Sequence, residues 1–61
     1  MAVLAGVKNE SVLLNALKRR GMSYYEAVAA KNIATKTSTF ENERVNIFYS
    51  KASGAYTLVE K

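Results

Sequence analysis

The most regular alternation of apolar and polar residues lies near the end of the chain, on either side of residues 51–54. Residues 44–50 and 55–60 are rich in β-branched and aromatic residues and flank this short turn, which is the pattern of a β-hairpin. With a two- or four-residue loop, the predicted core face of this hairpin carries Val45, Ile47, Tyr49, Tyr56 and Leu58. The opposite face should be mostly solvated, but Phe48 and Val59 also lie on it.

A first helix is predicted after Asn9 or Ser11, either of which can cap it, with Glu10 near the positive end of the helix dipole. Its apolar arc contains Val12, Leu13, Leu14, Ala16 and Leu17. Its last turn carries three cations, Lys18, Arg19 and Arg20, which complement the dipole. Gly21 then provides a C-terminal stop.

A second helix is predicted from Tyr24 to about Ile33, because Ser23 and Glu26 form a capping-box pattern in front of it. Its broad apolar arc contains Tyr24, Tyr25, Val28, Ala29 and Ile33. Alanines at 27, 30 and 34 lie on the other side, where small residues let another element approach closely. We expect this to be the more buried helix and its two tyrosines to be core residues. The alternative for the tyrosines is stacking on nucleic-acid bases.

Residues 35–43 fit two different elements. Alternating threonines at 35, 37 and 39, followed by Phe40, favour a strand over about 35–40 and a three-stranded meander. The alternative is a third short helix that is capped by Thr35.

Together these elements predict one small α+β domain over residues 1–61. It has an apolar N-terminal arm over 1–8, a helical hairpin over 9–34 and a β-meander or hairpin over 35–61. The two helices pack on a small antiparallel sheet of two or three strands that ends in the C-terminal β-hairpin. The predicted core contains Val12, Leu13, Leu17, Val28, Ile33, Val45, Ile47, Tyr49 and Leu58.

This order of elements, with the hairpin over 45–60, superficially resembles the layout of small Cro-type phage repressors. The resemblance would imply a helix-turn-helix, which needs a turn residue after its second helix and apolar anchors on its recognition helix. Asn32 suits the turn, because Asn tolerates a left-handed conformation. The anchor positions, however, fall on the polar residues Ser38 and Glu41. We therefore assign no base-reading residues from this resemblance.

The composition argues against an enzyme. The 61 residues include no His and no Cys, which removes the commonest general base and the thiolate and imidazole ligands of metals. The five glutamates are scattered, and the three glycines are too far apart to form a phosphate-binding loop. We expect no catalytic site, no metal, no cofactor and no small-molecule substrate.

The charge favours a polyanionic partner. Nine Lys and Arg residues against five Glu give a net charge of +4, which suits nucleic acid or an acidic protein surface. The predicted nucleic-acid-binding residues are Lys18, Arg19, Arg20, Lys31 and Lys36. Plain solubility and a favourable helix C-terminus are the alternative explanations of this charge. On this hypothesis the protein is a non-enzymatic nucleic-acid-binding regulator.

The apolar residues outside the core give the second hypothesis, a protein-binding inhibitor or adaptor of the kind that phages and mobile elements encode. Its predicted interface comprises Phe48, Val59, Val3 and Leu4. The same residues make a homodimer the expected assembly. The apolar run over 1–7 is far shorter than the roughly 20 residues that span a bilayer, and no basic residue precedes it. We therefore expect no membrane partner and a cytoplasmic location.

Overall fold

The computed structural model describes residues 3–61 and shows an α+β fold with two helices and a four-stranded antiparallel sheet. The elements in chain order are β1 (Val3–Val7), α1 (Glu10–Arg19), α2 (Tyr24–Thr37), β2 (Thr39–Glu41), β3 (Val45–Ser50) and β4 (Ala55–Glu60). The strand order across the sheet is β1-β4-β3-β2. Both helices pack on one face of this sheet, with α2 over β2 and β3 and with α1 against α2 and β1.

The C-terminal hairpin forms as its alternation predicts. Strands β3 and β4 pair from Val45 opposite Glu60 to Ser50 opposite Ala55, so the connecting turn has four residues. The turn closes with Gly54 at φ +69°, a left-handed conformation that glycine adopts without a steric penalty. Residues of the predicted core face are buried or half-buried, and the rings of Tyr49 and Tyr56 lie 4.7 Å apart.

The N-terminal arm is a strand, so the sheet has four strands rather than the predicted two or three. Val3 pairs with Val59, Leu4 with Leu58 and Val7 with Tyr56. A bulge between Leu4 and Val7 contains Gly6 at φ +70° and turns both Leu4 and Val7 towards the core. Residues 1 and 2 of the predicted arm lie outside the described residues.

Helix α1 begins and ends where its capping residues predict. The Ser11 amide donates to Oδ1 of the N-cap Asn9 (2.8 Å). At the other end, the Gly21 amide donates to the Lys18 carbonyl and the Met22 amide to the Leu17 carbonyl, which is a Schellman motif. Gly21 has φ +89°, as this motif requires. Met22 is buried beside the helix end and joins the core.

Helix α2 starts with the predicted capping box but ends later than predicted. The Glu26 amide donates to Ser23 Oγ, and the Ser23 amide donates to Glu26 Oε1. The helix continues to Thr37 and stops at Ser38, whose φ of +72° is left-handed. The strand favoured over 35–40 is therefore confined to Thr39–Glu41, and Thr35 lies inside the helix instead of capping a third one.

The face of α2 that meets the sheet is the opposite of the predicted one. Ala27, Ala30 and Ala34 are buried, whereas the larger arc faces outward. Leu13 and Leu17 of α1, together with the aliphatic residues of the sheet, already fill the space between the layers. A helix that adds only methyl groups to this space can approach the sheet closely.

Two predicted core residues are wrong: Val12 of α1 and Ile33 of α2 are each 47% exposed. Val28 is only half-buried. The two tyrosines at the start of α2 are also wrongly assigned to the core: both are exposed, and their rings meet edge to face with centroids 5.8 Å apart. The remaining predicted core residues are buried or packed against the core.

Candidate binding surfaces

The sheet face turned away from the helices is uncovered by any residue that the structure describes. Its residues, which we call the outer sheet face, are Val3, Thr39, Glu41, Asn46, Phe48, Ser50, Ala55, Thr57 and Val59. They form rows across the strands, because Val3 pairs with Val59, Val59 with Asn46 and Asn46 with Glu41. Phe48 is 47% exposed in the next row, between Thr57 and Thr39.

The outer sheet face carries almost no charge. Among its residues only Glu41 is ionisable, and it lies on β2 at the sheet edge in an ion pair with Lys61. None of these nine strand residues is Lys or Arg, and Lys61 reaches the face only at its edge, through the ion pair with Glu41. The central part therefore offers apolar surface, hydroxyls and one amide for contact.

Three of the four predicted interface residues lie on this face. Val3 is 61% exposed and Phe48 is 47% exposed. Val59 is half-buried. Leu4 differs, because the pairing with Leu58 turns it towards the helices, where it packs against the core of its own chain.

The five predicted nucleic-acid-binding residues do not form one patch. Lys18 and Arg19 are exposed at the end of α1, whereas Lys36 is exposed in the last turn of α2, at the opposite end of the helical layer. Lys31 Nζ lies 2.8 Å from Glu10 Oε1. Arg20 Nε lies 2.9 Å from Glu60 Oε2, an ion pair without a hydrogen bond from this nitrogen.

The charges instead divide between two ends of the molecule. At the loop end, α1 stops, α2 begins and the β2–β3 loop closes. The charged residues there are Lys18, Arg19, Arg20, Arg44 and Lys61, with Glu26, Glu41, Glu43 and Glu60. Five cations against four carboxylates leave one positive charge at this end.

The hairpin end, around turn 51–54, holds most of the net charge. Lys8 follows β1 beside the start of β4, and Lys51 lies in the turn itself. Lys36 precedes Ser38, whose carbonyl accepts from the Tyr49 amide near the end of β3. With the Lys31–Glu10 pair, this end has four cations against one carboxylate, an excess of three.

The sequence reasoning missed the part that Arg44 plays at the loop end. Arg44 Nη1 donates to the Arg20 carbonyl (3.2 Å), and the Lys61 amide donates to the Arg44 carbonyl (2.9 Å). Arg44 thus joins the end of α1 to the sheet. No local pattern signals this contact, because its partners are 24 residues apart.

Within residues 3–61, no group of three or more His, Cys, Asp or Glu side chains is close enough to hold a metal ion. No helix in the same range has the length and apolarity to cross a membrane.

In the comparisons with known proteins, no protein-family model, no curated protein and no solved structure matches this chain.

Proposed function

We propose that the protein is a small non-enzymatic binding module that contacts a protein partner through the outer sheet face. The observation that carries this proposal is the exposure of Phe48 and Val3 on a sheet face that lacks charge at its centre. An apolar patch on one continuous surface marks interaction sites more often than scattered apolar residues do. The inhibitor or adaptor role predicted from the sequence belongs to this proposal.

The composition of this face favours a protein over a nucleic acid. Sheets that bind single strands combine several stacking aromatic residues with cations that follow the phosphates. The strands of the outer sheet face present one aromatic residue, Phe48, and no Lys or Arg, and the one cation that reaches its edge, Lys61, is paired with Glu41. Hydroxyls from Thr39 and Thr57 on either side of Phe48 suit the polar groups around an apolar protein contact.

Replacing Phe48 by lysine is expected to reduce partner capture at least tenfold, because the contact would have to desolvate a charge at its centre. Tagged wild-type chain and variant would be compared by capture from a nuclease-treated lysate of the native host, with quantitative mass spectrometry. Phe48 is exposed, so the far-UV circular dichroism should stay unchanged.

The matched control is Tyr25→Lys, which places the same charge on an 81% exposed aromatic residue of the helical layer. Capture by this control should equal that of the wild type. Equal capture by Phe48→Lys and wild type, with both folded, would contradict the proposal.

A second candidate function is nucleic-acid binding by a regulator, and the charge excess at the hairpin end favours it. Lys8, Lys36 and Lys51 are exposed, and within residues 3–61 none of them forms an ion pair. Unpaired lysines neutralise phosphates without first giving up a carboxylate partner. The predicted residues Lys18 and Arg19 are also exposed, but they share their end with four glutamates.

Two double variants that each remove two cations would test this candidate. Lys36→Gln/Lys51→Gln changes the hairpin end, and Lys18→Gln/Arg19→Gln changes the loop end. In fluorescence anisotropy with a labelled oligonucleotide, log K should fall with log salt, and the hairpin-end variant should flatten this slope by about 2. The loop-end variant should change it less. If the wild type does not bind at low salt, this candidate function is eliminated. If the loop-end variant reduces the salt slope as much as the hairpin-end variant or more, the phosphate contact lies at the end of α1 instead.

A further inference from the structure

We propose that a cleft at the loop end binds a diphosphate group, either free or as part of a nucleotide. The cleft, which we call the arginine cleft, lies where the end of α1, the β2–β3 loop and the end of β4 meet. Its volume is about 450 Å³, and its lining residues are Arg19, Arg20, Glu43, Arg44, Glu60 and Lys61. This proposal goes beyond the functions proposed above, which use the outer sheet face and the hairpin end.

Two arginines of the cleft are held in place by main-chain carbonyls. Arg20 Nη1 donates to the Ala16 carbonyl (2.9 Å), and Arg44 Nη1 donates to the Arg20 carbonyl (3.2 Å). The backbone of Arg44 is fixed as well, because its amide donates to Asn42 Oδ1 (2.7 Å) and its carbonyl accepts from the Lys61 amide. A guanidinium has five N–H groups, so each arginine has donors that these bonds do not use. Donors that are already positioned lose little conformational freedom when a ligand binds.

The charges of the cleft favour an anion. Four of the six lining residues are cations. Within residues 3–61, Arg19 and Arg44 form no ion pair, so an anion need not displace a carboxylate from either one. The other two cations each pair with one glutamate, and the pair of Arg20 with Glu60 lacks a hydrogen bond from Nε. Glu43 has no ion pair in the same range and opposes an anion in the cleft.

The arrangement of these cations suits phosphate better than carboxylate. A phosphate group presents oxygens in several directions, so that cations from three separate elements can each reach one, and the guanidinium fork fits two such oxygens at once. A phosphate has five non-hydrogen atoms. At roughly the 30 Å³ that one water molecule occupies, they fill about a third of the cleft. Two linked phosphoryl groups fill more than half of it and carry more charge.

Titration of the ¹⁵N-labelled protein with inorganic diphosphate, followed by NMR at constant ionic strength, tests the proposal. The amide signals of Gly21 and Arg44 should shift and saturate, because both residues lie at the Arg44–Arg20 contact. Inorganic phosphate should bind more weakly. Adenosine diphosphate separates the two sources of the group: tighter binding than that of inorganic diphosphate assigns the site to a nucleotide, and equal or weaker binding assigns it to the free anion.

Four variants locate the binding in the cleft. Arg44→Gln should lower the affinity for diphosphate about tenfold or more, because it removes charge-assisted hydrogen bonds. Arg19→Gln, at an exposed residue, should lower it severalfold and serves as the second variant if Arg44→Gln fails to fold. Glu43→Gln should raise it severalfold, because it removes the opposing charge. Lys36→Gln is the matched control: it removes one positive charge at the opposite end of the helical layer and should bind as the wild type does.

Two results would overturn the proposal. One is the absence of saturable shifts in the wild type up to about 10 mM diphosphate, since weaker binding than this needs no built site. The other is an equal loss of affinity in Lys36→Gln and Arg19→Gln, because binding would then follow the net charge of the molecule and not the cleft. Neither result affects the role of the outer sheet face, which Phe48→Lys tests separately.

Discussion

Replacing Ile47 by alanine is expected to destabilise the fold by about 2–5 kcal/mol, the range for removing a large aliphatic side chain from a core. Ile47 is fully buried on β3 and pairs with Leu58 on one side and Phe40 on the other. A domain this small has only a few kcal/mol of total stability, so the variant should be largely unfolded at 25 °C. Urea denaturation followed by far-UV circular dichroism measures the loss.

Ile33→Ala is the matched control, because it makes the same substitution at a residue that the sequence also assigned to the core. Ile33 is half-exposed on α2, and alanine is the better helix former. Its cost should stay below about 1 kcal/mol. Equal losses for the two variants would mean that α2 turns its larger side chains towards the sheet, contrary to the fold described above.

Gly21→Ala is expected to cost about 2–3 kcal/mol. About 1–2 kcal/mol comes from the left-handed backbone at φ +89°, which a Cβ atom disfavours. The rest comes from Arg44, because an added Cβ would lie 2.6 Å from Arg44 Nη1 and displace its hydrogen bond to the Arg20 carbonyl. The same urea titration measures the change in the free energy of unfolding.

Gly54→Ala isolates the backbone contribution. Gly54 has a similar φ of +69°, but nothing lies within 4 Å of the position its Cβ would take. Its cost should therefore be about 1 kcal/mol lower than that of Gly21→Ala. In an Arg44→Ala background the two glycine substitutions should cost the same, and a persistent difference would show that Arg44 is not its cause.

The local parts of the fold could be predicted because their signals are short-range. Asn9, the Ser23–Glu26 capping box and Gly21 fix the helix ends through bonds to neighbouring backbone groups. Period-two alternation, combined with a four-residue turn, fixes which hairpin face meets the core. The same alternation located Phe48 and Val59 on the uncovered face.

The wrong predictions concern features that depend on how separate elements pack against one another. Helix α2 has one face of large apolar residues and one face of alanines, and the periodicity of its sequence does not determine which face packs against the sheet. The answer depends on the volume that Leu13 and Leu17 of the other helix already fill. The predicted cation patch failed to assemble for a similar reason, since Glu10 and Glu60 reach Lys31 and Arg20 from distant parts of the chain.

The pairing of β1 with β4 has a consequence for biosynthesis. Val3 lies opposite Val59, so β1 finds its partner strand only after more than fifty further residues have been made. Until then the core also lacks Tyr56 and Leu58, and the half-made sheet ends at β3. Cooperative folding therefore waits until β4 has left the ribosome. Before that point, the elements with near partners, which are the two helices and the β2–β3 pair, can form only in part.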